Sequence, residues 1–224
     1  MRTWLGMTAC LLWIPFSPLA PEPASAESIP ASIAAEGVPD LPGDLVDQLE
    51  RYQNSRSASL EGWVGDKREI LILTRFGNTS QVHRVAFPGG DRRQLTFLRD
   101  RVLGSSPRPH RDQFFYSSDQ GGAENFQIFL QDLKSGAVNR LTSGQTRNIA
   151  PRWSNSGSLL AYSNNSRNGK DMDIYVADTN EESSPRQLKE VRGHWSVTDW
   201  SPDDRRVAAV EMISANESYV HLIN

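Results

Sequence analysis

Cysteine is almost missing from this chain: its 224 residues include one, Cys10. A single cysteine excludes an intramolecular disulfide, so packing and hydrogen bonds have to carry the stability. Basic charge is not in excess either. The formal net charge is −3, and the basic patch expected of a nucleic-acid partner is not indicated. Beyond the N-terminal region no run of eighteen or more apolar residues occurs, so no membrane span is expected. What is present, 38% hydrophobic and 23% charged residues, is the composition of a folded globular chain rather than a disordered one.

The first 26 residues read as a secretory signal. Met1-Arg2 is a minimal positive region, Thr3 to Phe16 is mostly apolar, and Ala24-Ser25-Ala26 fits the small-x-small cleavage pattern. The apolar stretch runs on past Cys10, which argues against a lipoprotein cleavage site there. Cleavage near Glu27 would remove one Arg and one Glu, leave the charge at −3, and remove the only cysteine. The expected location is therefore periplasmic or secreted. Residues 27–55 form a leader: Pro30, Pro39 and Pro42 break any periodicity, and then Leu45, Leu49 and Tyr52 fall at helical spacing, with Asp44 as the expected N-cap.

From about residue 56 the pattern changes to short apolar runs separated by turn residues, the mark of an all-β domain, and it repeats. Leu95, Leu141 and Leu188 lie 46 and then 47 apart. Gly90 and Gly136 are 46 apart, as are Asp132 and Asp178. Ile70, Tyr116, Tyr162 and Ala209 are expected to share one register. The units are placed at about 57–97, 101–143, 148–190 and 195–224, the last lacking a fourth strand. Four strands in about 45 residues make one blade of a β-propeller. A small twisted sheet cannot bury both faces by itself, so blades stack and each covers its neighbour. Trp63, Trp153 and Trp200 end the first strands of their blades and are expected to pack between sheets.

The turns Trp153-Ser154-Asn155-Ser156-Gly157-Ser158 and Trp200-Ser201-Pro202-Asp203-Asp204-Arg205 resemble the Trp-Ser-Pro-Asp-Gly-Lys/Arg signature of WD40-like repeats in TolB-type propellers. Gln127 to Asp132 and Asp173 to Asp178 complete that repeat, with Asp204 standing where the signature has glycine. The whole run, including Gly193-His194-Trp195-Ser196-Val197-Thr198-Asp199-Trp200, looks most like the N-terminal propeller of prolyl oligopeptidase-family serine peptidases. The resemblance implies a domain that covers the active site and restricts entry to peptides, with catalysis in a C-terminal α/β-hydrolase domain. No Gly-x-Ser-x-Gly segment is present, so no triad residue is assigned and the chain is expected to be truncated before the catalytic part. The alternative implied is a non-enzymatic TolB-like propeller that binds a protein partner. In the first reading a peptide substrate is reached through the missing hydrolase domain.

No residue is assigned as catalytic, cofactor-binding or metal-ligating. His83, His110, His194 and His221 are widely separated and read as surface or turn residues. Asp171-Met172-Asp173 and Asp119 to Glu124 do not fit a calcium loop and read as solvated turns. Gly89-Gly90 and Gly121-Gly122 lack the Lys-Ser/Thr of a phosphate loop. Asn78, Asn164 and Asn216 begin glycosylation sequons. The loops between second and third strands, Gly77 to Ser80, Gln120 to Asn125, Asn164 to Lys170 and Ser214 to Glu217, are the expected binding end.

Overall fold

The computed structural model describes residues 34, 36–39, 42–180 and 184–224. The signal-peptide reading lies outside the described residues. The chain divides into two units, residues 1–55 and 56–224. In the first, α1 spans Gly43–Gln53. Its N-cap is Pro42 without a side-chain bond, and Asp44 lies in the first turn instead of capping. There its carboxylate still faces the positive end of the helix dipole.

The second unit is all β, four antiparallel sheets in chain order. Sheet one holds β1 (Ala58–Trp63), β2 (Ile70–Thr74), β3 (Gln81–Val85) and β4 (Arg92–Gln94). Sheet two holds β5 (Val102–Pro107), β6 (Gln113–Ser118), β7 (Gln127–Asp132) and β8 (Val138–Arg140). Sheet three holds β9 (Asn148–Trp153), β10 (Leu159–Asn164), β11 (Asp173–Asp178) and β12 (Arg186–Lys189). Sheet four has three strands, β13 (His194–Trp200), β14 (Val207–Ser214) and β15 (Glu217–Ile223). These are three full blades and a partial fourth.

The same hairpin opens every blade. Val64, Arg108, Ser154 and Ser201 each donate their N–H to the carbonyl five residues on, and each carbonyl accepts from the N–H three residues on. Gly157 turns with φ 70°, and Asp204 adopts the same left-handed geometry at φ 56° where the repeat signature has glycine. A side chain at Gly157 would also meet the Pro109 carbonyl at 2.6 Å, so this turn needs glycine for space as well as for φ.

One register expectation is corrected. Trp63, Pro107, Trp153 and Trp200 pair with Ile70, Phe114, Leu160 and Val207. The residue in register with Tyr116, Tyr162 and Ala209 is therefore Ile72, not Ile70. The first blade is two residues short between its second and third strands, where residues 75–80 do the work of 119–126 and 165–172. Landmarks after that loop keep the 46-residue period, which hid the slip.

The core is split into the three seams between blades. Strand alternation sends Phe114 and Tyr116 to the seam with Leu71 and Val82, while Phe115 joins Ile128, Leu160 and Tyr162 in the next. The third seam joins Ala161, Ile174 and Val176 to Trp195, Val197, Trp200 and Val207. Burying each such side chain contributes about 1.5–3 kcal/mol, so a blade depends on having a neighbour.

A buried polar clasp repeats beside these seams. Gln81 accepts from Thr96 Oγ1 (2.8 Å) and Leu98 N (3.1 Å) and donates to the carbonyls of Leu98 and Asp100. Gln127 does the same with Thr142 Oγ1 (2.6 Å), Gly144 N (2.9 Å) and the carbonyls of Asn125 and Thr146. In the third blade Asp173 takes the position, fully buried, accepting from Val191 N and from Arg167. Asp173 is thus a structural anchor and not part of a solvated turn.

Gln127→Ala should destabilise the protein by about 1–3 kcal/mol or more, because it orphans several buried groups together. Urea unfolding followed by circular dichroism checks this. Trp200→Phe should cost about 1 kcal/mol from the lost indole bond described below, and Trp63→Phe close to nothing. Equal losses for the two would refute the difference in their environments.

Candidate binding surfaces

The tryptophans show how the seams are locked. Trp153 Nε1 donates to Ser106 O (3.2 Å) and Trp200 Nε1 donates to Arg152 O (3.0 Å), each reaching back to the first strand of the preceding blade. Trp200 is 8% exposed, but Trp63, in the first blade, is 63% exposed. The expectation of packing between sheets therefore holds for two of the three. In the second blade Pro107 occupies the tryptophan position and lies against Gly62, where an added Cβ would come within 2.9 Å of its ring.

First strands are the inner edges of their sheets, and β1 lies against β5 as β9 does against β13. Between β5 and β9 a groove of about 550 Å³ opens instead. Its apolar lining includes Leu103, Phe115, Phe126, Ile149 and Trp153. The Phe115 and Trp153 rings lie 5.7 Å apart, and the Arg108 guanidinium sits 5.5 Å over the Trp153 ring. Glu61 and Arg152 bring opposite charges to the lining. Glu61 Oε2 accepts from Ser105 N (2.7 Å), and Arg152 Nε donates to Thr198 O (3.1 Å). Ser117, also in the lining, has a buried hydroxyl with no hydrogen-bond partner.

β9 is irregular where it lines this groove. Its pairing with β10 carries a bulge between Ile149 and Arg152, and Ala150 adopts φ 52°. A left-handed alanine costs about 1–2 kcal/mol. Bulges recur in the first strands of the other three blades, but those strands contain no left-handed non-glycine residue. The sequence reading placed binding on the loops between second and third strands and missed this groove. The available signal was Pro151 inside a strand, which points to a bulge.

Two of those loops, Gly77 to Ser80 and Gln120 to Asn125, border a cavity of about 630 Å³, lined by Asn78, Asp100, Asp119 and Glu124 among others. Gly121 N donates to Asp100 and Glu124 N to Asp119, so the carboxylates are engaged in holding the loops. A third cavity, about 820 Å³, lies among the opening hairpins. There Asp112 accepts from Lys67 and from Lys134 (3.1 Å), and these two ammonium groups hold its carboxyl below the ordinary range. Arg108 is buried and spends its guanidinium on Gly157 O, Gln113 Oε1, Thr179 O and Asn180 Oδ1, with burial lowering its pKa. It is a structural bolt between the second and third blades.

The histidines do not converge. His83 is buried in β3, edge-on to Phe76, with Nδ1 donating to Gln81 O (3.0 Å), and burial lowers its pKa. This corrects its reading as a surface residue. His221 meets Glu211 at 2.9 Å and lies against Trp195, His110 sits in a turn, and His194 is exposed. Among the described residues no group of His, Cys, Asp and Glu is placed to hold a metal ion, and no helix is long and apolar enough to cross a membrane. Asn164 is buried with its amide donating to Thr146 and Asn148, which keeps it from glycosylation in the folded state, whereas Asn78 and Asn216 are exposed.

Successive blades joined at their seams, with inner edges formed by first strands, define a β-propeller, and comparison with solved structures gives the same fold. TolB from Acinetobacter baumannii superposes with a TM-score of 0.55 at 20% identity, over 71% of this chain and 39% of that one. A structure from a study of two prolyl endopeptidases gives a TM-score of 0.62 at 11% identity, over 76% and 28%. Oligogalacturonate lyase from Vibrio parahaemolyticus gives 0.52 at 11% identity, over 66% and 44%. The chain thus spans well under two thirds of the length of each. No protein-family profile matches the sequence, and no curated protein matches it.

Ala150→Gly should stabilise the protein by about 1 kcal/mol by relieving the left-handed alanine. A lower melting temperature in the variant would contradict that. Asp204 offers a pH test. Burial opposes its charge, but the N–H groups of Asn155 and Ser156 and the Asn155 amide bond to it across the blade seam and hold its pKa below the ordinary value. Its contribution is present above the ordinary carboxylate range and is lost as pH falls through the lower folded value. Asp204→Asn should therefore flatten part of the acid limb of a pH–stability curve.

Proposed function

We propose that this propeller is a non-catalytic peptide-recognition module of an exported protein, acting as the substrate-gating domain of a prolyl oligopeptidase-family serine peptidase. The observation that carries recognition is the groove between β5 and β9, where aromatic side chains, the left-handed Ala150 and an unpartnered serine hydroxyl meet. Strained backbone persists where the surrounding structure enforces it, and such positions cluster at binding sites. An apolar trough between two inner strand edges suits an extended peptide, since strand edges offer backbone N–H and C=O groups and the trough takes a side chain. The gating role is supported by the sequence resemblance and is compatible with the shared fold of the prolyl endopeptidase structure. In that role the propeller admits or excludes peptides sterically, and bond cleavage belongs to a hydrolase part outside these 224 residues.

A second reading has its own support. The likeness to TolB comes with the higher identity, 20% against 11%. In this reading the groove docks a segment of a protein partner and no catalytic domain is involved.

One experiment separates them. Native protein captured from its source with an antibody to the propeller is assayed on a panel of chromogenic dipeptides. Turnover by a longer polypeptide, absent from the purified 224-residue chain, is the expected result. A stoichiometric protein partner without turnover would replace the gating reading with the binding one. Hydrolysis by the 224 residues themselves would refute both.

A further inference from the structure

The loop between β10 and β11 carries the only Asn-Gly pair in the sequence, Asn168-Gly169. Chemically this is the asparagine most open to deamidation, because glycine puts no side chain over the nitrogen that attacks the neighbouring carboxamide. The step needs no enzyme. The Gly169 nitrogen bonds to Asn168 Cγ, the bond from Cγ to Nδ2 breaks, and Nδ2 leaves as ammonia with the proton from the Gly169 N–H. Water then opens the resulting succinimide to an aspartyl or isoaspartyl residue at position 168. Asn168 and Gly169 are both exposed, so water reaches them.

The folded loop engages both reacting groups. Gly169 N already donates to Asn165 O (2.8 Å). The Asn168 carboxamide is held at both ends: Oδ1 accepts from Lys170 N (3.0 Å) and Asp171 N (2.9 Å), and Nδ2 donates to Asp171 Oδ2 (2.8 Å). Asp171 in turn connects the loop to the segment leaving for the fourth blade, since its Oδ1 accepts from Gly193 N (2.8 Å). Arg167 joins the same parts, donating to Asp171, Asp173 and Val191 O. The bonds from Gly193 and Asn168, with the charge of Arg167, hold the Asp171 carboxyl below its ordinary range.

We propose that Asn168 is a latent modification site, protected in the folded loop and converted by deamidation when the loop opens. Exposed loops open locally without global unfolding, so the reaction has a route in the native protein. Conversion removes the Nδ2 donor and sets a new carboxylate beside that of Asp171, and like charges at that distance disfavour each other. The isoaspartyl product also adds a methylene to the backbone, which shifts the Gly169 N–H away from Asn165 O. Ammonia is lost, so the amide does not re-form. Each conversion therefore loosens the tie at Gly193 between the third and fourth blades. The inference is independent of the gating reading, because the groove between β5 and β9 takes no part in it.

The test incubates the 224-residue chain beside a peptide copying residues 164–172 at mildly alkaline pH, and peptide mass mapping reads conversion at position 168. Conversion in the folded chain should be about tenfold or more slower than in the peptide, since several hydrogen bonds must open first. Asp171→Ala frees the carboxamide while the buried Asp173 anchor stays in place. It should raise the rate in the folded chain by about tenfold, the factor expected from losing bonds of ordinary strength. Asn168→Asp, a stand-in for the aspartyl product, should speed hydrogen exchange at the Gly193 amide. Equal rates in chain and peptide overturn the proposal, as does a folded Asp171→Ala variant that converts no faster than its parent. Unchanged exchange in Asn168→Asp overturns the link to the fourth blade.

Discussion

The arrangement rests on one polar constraint: in the first three blades the start of the third strand must be tied to the segment that leaves for the next blade. A leaving segment crosses between sheets and cannot satisfy its backbone groups within either ladder. Gln81 and Gln127 solve this with a carboxamide that accepts from an incoming threonine and amide while donating to two carbonyls. Asp173 solves it with a carboxylate, and the consequence is a matching cation. Arg167 bonds to it in two places, and that contact raises the arginine's pKa. A buried carboxylate without that guanidinium would be far costlier than a buried amide.

With the leaving segment fixed, the first strand of the next blade is delivered to the seam, and the tryptophan lock can form. Its position in the repeat can be filled in two ways. Trp153 and Trp200 reach back with an indole N–H, whereas Pro107 has no donor and fits by contact with Gly62. The hairpins then bond from blade to blade, through Lys67 and Asp112, through Arg108, and through the Asp204 carboxylate. The seams hold the apolar core, so blade stacking is itself the folding driving force rather than an assembly of separately stable sheets. Where a seam loosens, between β5 and β9, the same plan leaves a groove.

Repetition also explains the misreadings. A period of 46 suggested one register for Ile70 and Tyr116, but the deficit of two residues lies in a loop between strands, and only pairing reveals it. His83 looked like one of four scattered surface histidines. It occupies the strand position that Phe129, Tyr175 and His221 hold in the other blades. The aromatics there stack on Tyr116 and Tyr162, so the position is defined by packing and not by polarity.

The amino-acid sequence by itself determined the blade plan. Alternating apolar residues, a turn chemistry written four times and a repeated basic–leucine ending (Arg-Gln-Leu-Thr, Arg-Leu-Thr, Arg-Gln-Leu-Lys) need no tertiary information to be recognised, because each is a local requirement of strand, turn or edge. Tertiary structure decided the rest. Whether a tryptophan is locked or exposed depends on whether a neighbouring blade offers a carbonyl, as Trp200 and Trp63 show. Whether Asp173 faces water depends on where Arg167 and the segment at Val191 arrive. The groove beside Ala150 exists only because two first strands diverge, and divergence belongs to a pair of blades that no single repeat encodes.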